Sequence, residues 1–442
     1  MQDKIISGFS KKDKKQKVQW LADNYFPETD DLLEDFQIFS HPDEDQQKIF
    51  DGFSENTISN FFMPYGIAPN FKINDRIYAV PMVIEESSVV AAASSAAKFW
   101  LNKGGFQTEI LSTVKLGQLH FSWAGPKALL KKQFSNLEQV LRQEAAPITA
   151  NMEKRGGGVL DIELLDFTDL EADYYQLKVK FETCDSMGAN FINSVLESFG
   201  GSLVRYISES AELGAYPAEI IMAILSNYTP ECMVRAKVSC PLDQLENACQ
   251  DMSGEEFAQK FYKAVRIAHI DAYRATTHNK GIFNGVDAVV LATGNDFRAI
   301  EACGHTYAAA SGQYKSLSHC EIKDGNFYFW LDLPLAVGTV GGLTKLHPLA
   351  KKSLQLLGNP SAEELMSVIA ATGLAQNFAA LRSLVTTGIQ KGHMKMHLMN
   401  ILNHLKANAE ETQQAQVYFE QEVISFNAVR DYLGHLRANG VK

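Results

Sequence analysis

Apolar positions along the chain change their spacing several times, and each change predicts a different kind of element. Residues 10–50 are polar with helical spacing; Ser10 is placed to cap the first helix, and Pro27 and Pro42 interrupt the run. From Phe71 short apolar stretches take over, leading into the alanine-rich segment 89–97, which predicts a buried helix. Leu129, Leu130, Phe134, Leu137, Val140 and Leu141 recur at helical intervals within 127–144. Leu177, Val179 and Phe181 then alternate with Lys178, Lys180 and Glu182, as in a strand with one wet face. A helix is expected from about Ser186, and a further alternating strand through Cys232, Val234, Ala236 and Val238.

From 257 to 310 the pattern predicts helices alternating with short apolar strands, one of them at 288–291. Asn359-Pro360-Ser361 opens another helix, with Ser361 and Glu364 at capping-box spacing. An amphipathic helix is expected from about Thr412 to Ala438. Mixed helices and antiparallel strands in the middle of the chain point to a small α+β domain inserted into a larger one.

At 442 residues the chain is long enough for two or three domains. The net charge of −11 leaves no basic footprint for nucleic acid or an anionic membrane, so a phosphate-bearing ligand needs a local site. The most apolar region, 79–100, is interrupted by Glu85, Glu86 and Lys98 and is not expected to span a bilayer. Lys11, Lys12, Lys14, Lys15 and Lys17 are not followed by the apolar core of a signal peptide. The six cysteines form no C-x-x-C pair, which fits reduced thiols in a cytoplasmic protein.

Three clusters could carry chemistry. Thr277-His278-Asn279-Lys280-Gly281, just before the expected strand at 288–291, places a lysine among polar groups at a strand end, where α/β folds tend to build sites; a solvated loop lysine is the alternative. Glu85 and Glu86 lie within an apolar run, where desolvation would raise a carboxyl's pKa and suit a proton donor; a helix start is the other account of them. His393 and His397 would share a helix face, but no carboxylate or cysteine pair completes a metal set, and a glycine-flanked histidine suits proton transfer better. His347, before Pro348, is expected to be structural. Neither glycine run, Arg155-Gly156-Gly157-Gly158 or Gly338-Thr339-Val340-Gly341-Gly342, has Rossmann or P-loop spacing. A non-Rossmann nucleotide site stays open at Cys184-Asp185-Ser186-Met187-Gly188-Ala189-Asn190, where a strand passes into a helix.

Taken together these motifs resemble the soluble bacterial (class II) hydroxymethylglutaryl-CoA reductases. The resemblance runs through Glu55-Asn56-Thr57-Ile58, Val80-Pro81-Met82, Glu85-Glu86, the segment 88–94, Met187-Gly188-Ala189-Asn190, 274–285, 292–296, Gly341-Gly342, Gly373-Leu374-Ala375-Gln376-Asn377 and Gly392-His393-Met394. It implies a large mixed α/β domain (1–112 and 226–385), an inserted ferredoxin-like α+β nucleotide-binding domain (113–225) and a helical C-terminal flap (386–442). It further implies a cytoplasmic homodimer that reduces a thioester to mevalonate with two NADPH or NADH. Lys280 would stabilise the oxyanion, Glu86 would donate a proton, Asp296 would hydrogen-bond to Lys280 from the partner chain, and His393 would protonate the departing CoA thiolate. Ser88, Arg274 and Gln376 would contact the substrate. Asp185, Met187, Gly188, Asn190, Asn193, Asn227 and Asn284 would hold the coenzyme.

Three positions depart from the family pattern: Ser59, Ser87 and Ser186 stand where glycine, proline and alanine are usual. Ala146 replaces the acidic residue that NAD-preferring relatives place before Pro147, while Lys154 and Arg155 could attract a 2′-phosphate, so NADPH is the favoured coenzyme. Two rivals are a CoA-dependent acyltransferase with a cysteine nucleophile, for which Cys184 is the one thiol near the motifs, and a non-catalytic homologue.

Overall fold

The computed structural model describes residues 4–26, 28, 31–248, 252–386, 398–420 and 422–438. Three short helices come first: α1 (Lys14–Tyr25), α2 (Leu32–Gln37) and α3 (Glu44–Asp51). The first is capped by Asp13, not Ser10, because Asp13 and Gln16 complete a reciprocal capping box while Ser10 lies in a 3-10 turn. A hairpin follows, β1 (Tyr65–Ile73) and β2 (Arg76–Val83), leading into α4 (Val89–Leu101).

Strands β3 (Gln107–Thr113), β8 (Cys232–Pro241), β9 (Ser318–Lys323) and β10 (Asn326–Pro334) form an antiparallel sheet in the order β3-β8-β10-β9. Helices α7 (Gly254–Ile270), α8 (Ala272–Ala292) and α12 (Ala362–Val385) bury their apolar faces in the same core as this sheet. Phe261 of α7 holds that core together, packing edge-on to Phe327 and Phe329 and against Phe378. Among the described residues α12 alone is long and apolar enough to cross a bilayer, and 72% of that window is buried inside the protein. It is a core helix, opened by the expected Ser361–Glu364 capping box.

Between β3 and β8 the chain makes a second layer pair with its own core. Here β4 (Lys115–Trp123), α5 (Lys127–Glu153), β5 (Gly158–Asp166), β6 (Tyr174–Glu182), α6 (Ala189–Glu209) and β7 (Ala218–Leu225) follow a βαββαβ order. The sheet order β5-β6-β4-β7 is the ferredoxin-like arrangement. Its first helix is longer than its periodic stretch and runs on through Pro147, forgoing one backbone bond. Its second begins at Ala189, three residues later than expected, because Gly188 holds a left-handed backbone (φ 94°) and delays the first helical turn.

Two further expectations give way. Segment 288–291 is the end of α8, not a strand: Ala275, His278, Asn279, Ile282, Phe283, Val286, Val289 and Val290 are buried at helical spacing, and Ala288 and Ala292 are buried with them in the terminal turn. The region from 257 is therefore helical as far as α9 (Phe297–Ala309). The C-terminal stretch is two helices, Ala409–Tyr418 and Phe426–Ala438, folded back so that Phe419, Val429 and Leu433 share a small core with Leu398 and Leu402. Two short helices, α10 (Leu343–Leu346) and α11 (Pro348–Leu356), lie between β10 and α12; His347 caps α11 and stacks on Phe53, a structural role as expected.

Candidate active site

Lys280 sits on a helix, and that changes what it can meet. Asp271 caps α8 through the backbone N–H groups of Tyr273 and Arg274, and the next ten residues run past the loop after β2. Lys280 Nζ lies 2.5 Å from Glu86 Oε2, and Asn284, one turn on, donates to the same oxygen at 3.4 Å. The lysine side chain is 60% exposed and the glutamate 34%, so the pair faces solvent and adds little to stability. What it fixes is geometry: an ammonium and a carboxyl within reach of one carbonyl oxygen.

The buried face of α8 explains why Lys280 is held there. Asn279 brackets the backbone of 315–317, donating to Lys315 O at 2.8 Å and accepting from Leu317 N at 3.0 Å. His278 lies 2.7 Å from Ser318 Oγ, which itself donates to Asn377 Oδ1 of α12. Ser318 must therefore accept from His278, placing that ring's proton on Nε2. Burial lowers the His278 pKa to about 3, so it stays neutral. On the other side of α8, Gly285 meets α12 so closely that a Cβ would lie 2.7 Å from Thr372 O. Gly285→Val should destabilise the protein by ~1–3 kcal/mol in chemical denaturation. Gly281→Ala, whose Cβ would have nothing within 4 Å, should be tolerated.

Glu86 and Ser88 occupy the turn between β2 and α4. Ser88 takes a left-handed backbone (φ 76°), and its hydroxyl makes no bond to the helix end it caps. Arg274 is half-buried, which lowers its pKa. Gln376 is buried behind α8 with Oε1 unpartnered. Asp296 caps α9, accepting from Arg298 N and Ala299 N and from the Arg298 side chain. Within one chain its carboxylate thus serves α9, and Lys280 turns to Glu86. His393 and His397 lie outside the described residues, and among those described no cluster of three metal-donor side chains occurs.

One feature of α8 escaped the sequence reasoning. Asp287, one turn after Asn284, has Oδ1 buried without a donor, and burial with the neighbouring Glu301 carboxyl raises its pKa to about 8. A lone aspartate in an apolar run was its only signal.

A family model described as hydroxymethylglutaryl-coenzyme A reductase matches residues 14–398, most of the chain. The chain belongs to that family. An Archaeoglobus fulgidus 3-hydroxy-3-methylglutaryl-coenzyme A reductase is 37% identical over 395 residues, 88% of this chain and 86% of that protein. A probable reductase of the same name from Borreliella burgdorferi is 33% identical, covering 83% and 82%. The class II reductase of Streptococcus pneumoniae, solved with NADPH in open conformations, superposes with a TM-score of 0.70 at 35% identity, over 86% of this chain and all of that one.

In this hydroxymethylglutaryl-CoA reductase family member the 183–190 loop joins the ferredoxin-like unit to the larger one. Ser186 bridges Val340, Thr339 N donates to Asp185 O, and Ala362 N donates to Asp185 Oδ1 at 2.8 Å. Gly188 is required: a Cβ there would lie 2.6 Å from the Thr183 side chain. No side chain caps α6, so its first N–H groups point at the loop, the arrangement that receives phosphate. Asn190 opens α6, while Asn193 accepts from Leu225 N at 2.8 Å and Asn227 follows β7 at the unit's edge. Lys154 and Arg155 are exposed at the end of α5, and Cys184 Sγ, 3.3 Å from Arg155 O, ties that basic turn to the loop. Met187, Gly188 and Asn190 therefore gather at one place, whereas Asn284 stands with Glu86.

Among the described residues no cysteine has the lowered pKa of an activated nucleophile. Burial raises the pKa of all five described thiols, Cys184 included, and carries Cys232 and Cys240 to about 11.

Proposed function

We propose that the chain is a soluble, cytoplasmic homodimer that reduces 3-hydroxy-3-methylglutaryl-CoA to mevalonate and CoA. The reaction consumes two NADPH and two protons. The observation that carries this reading is the Lys280–Glu86–Asn284 cluster, standing in a chain of this family. Bound NADPH supplies the two hydrides.

The residues divide the remaining work. Lys280 stabilises the oxyanion as the thioester carbonyl becomes tetrahedral, and Glu86 gives a proton to the alkoxide formed when the aldehyde is reduced. His393 protonates the departing thiolate, and Ser88, Arg274 and Gln376 hold the acyl group. Asp296 of a second copy completes the network at Lys280, which accounts for a site left open to solvent within one chain. The uncapped α6 N-terminus, the close-packed Gly188 and the basic turn at Lys154 and Arg155 suit a dinucleotide phosphate. In this arrangement 113–225 form the coenzyme domain, 1–112 with 226–385 the substrate domain, and 386–442 the flap.

Purified protein with hydroxymethylglutaryl-CoA should oxidise two NADPH per CoA released, with NADH the poorer donor. Failure to oxidise either coenzyme would refute the assignment.

A further inference from the structure

Lys115, the first residue of β4, is only 3% exposed, an unusual position for a lysine. Its ammonium donates to Thr183 Oγ1 at 2.7 Å, and among the described residues it has no other hydrogen bond and no ion pair with a carboxylate. A buried cation so poorly compensated is costly unless it serves an anion nearby. Thr183 Oγ1 in turn donates to Ser186 O at 2.6 Å, and its side chain is the one against which Gly188 packs. The lysine's charge offsets part of the rise that burial imposes on Cys232 below the loop, and it reaches Cys184 within the loop more weakly, behind burial, Glu182, Arg155 and Asp185. The cavity beside Lys115, shared with Met187, Asn227, Thr229 and Cys303, is about 10 Å³, room for one water and no ligand.

We propose that Lys115 is a buried cation that presets the 183–190 loop for the pyrophosphate of the dinucleotide, a positioning residue acting through Thr183 and through its field, without contact. The inference rests on the reading of this loop as the coenzyme site. Pyrophosphate is common to both coenzymes, whereas the 2′-phosphate is not. That difference separates Lys115 from Lys154 and Arg155.

The test is binding of NADPH, NADH and ADP-ribose to the full chain by fluorescence or calorimetric titration. Lys115→Met keeps the length and removes the charge, and should weaken all three by the same factor, on the order of tenfold. At saturating coenzyme kcat should change less than about twofold, and the KM for the acyl-CoA should hold, since only ground-state coenzyme binding is altered. Thr183→Val should act in the same direction, and the double variant should be no weaker than Lys115→Met alone, as expected of residues acting in one chain. Lys154→Ala should weaken NADPH alone. Unchanged affinities in Lys115→Met would overturn the proposal, as would an equal rise in the KM of the acyl-CoA with a lowered Tm, which marks a merely structural lysine. A wild-type chain that binds none of the three would overturn the coenzyme reading itself.

Discussion

Lys280→Ala is expected to abolish thioester reduction while leaving the fold in place. The hydride adds to a carbonyl whose oxygen becomes an anion, and the Lys280 ammonium, 2.5 Å from Glu86, is placed to meet it. Removing an oxyanion donor from a preorganised site lowers kcat by about 10²–10³, and loss of a full charge falls at or beyond the upper end. The stability effect is small by contrast. The Lys280 side chain is 60% exposed, its ion pair is screened, and Asn284 remains to donate to Glu86. The informative pair of measurements is single-turnover NADPH oxidation and thermal unfolding on the same preparation. A variant with wild-type turnover would remove Lys280 from the mechanism. One that is inactive but melts many degrees lower would make it a structural lysine.

The chemistry of that site was legible in the sequence further than its geometry. The resemblance implies Glu86 and Lys280 together but gives Asn284 to the coenzyme, whereas Asn284 donates to Glu86, and Lys280 itself reads as a loop residue beside a strand. The reason is physical: the end of α8 is buried at Ala288, Val289, Val290 and Ala292, so 288–291 is apolar at every position and its helical period is erased. Strands such as β6 and β8 were readable because one of their faces is wet. The Ser361–Glu364 box was readable because capping is local in sequence. Lys115 was not readable at all. Its importance comes from burial against Thr183, 68 positions away, and a lysine opening a strand has no local signature of being inside. The same holds for the proton on His278, which Ser318 and Asn377 set from two other elements. Asp296 is the converse case: the resemblance implies a place beside Lys280 for it, while one chain by itself shows its capping of α9.

Glu86→Gln should separate the two hydride transfers. The amide keeps the carboxyl's shape, and its oxygen still accepts from Lys280 and Asn284, so the oxyanion site survives. What is lost is the proton. The first hydride converts the thioester to a hemithioacetal and then to an aldehyde, with the thiolate protonated elsewhere. The second makes an alkoxide that needs a proton at once, and general acid catalysis of this kind is worth about 10²–10⁴ in rate. Reduction of the free aldehyde should therefore fall by that factor. The ratio of NADPH oxidised to CoA released should move from two towards one as aldehyde accumulates. Stopped-flow absorbance for NADPH with thiol titration for CoA gives both quantities on one sample. If the ratio stays at two and aldehyde reduction is unimpaired, the proton comes from another group. The buried carboxyl of Asp287, one turn beyond Asn284 and raised in pKa by burial and by Glu301, would then be the next to replace. If both hydride steps fall together, Glu86 acts chiefly by orienting Lys280, and the ion pair is its whole contribution.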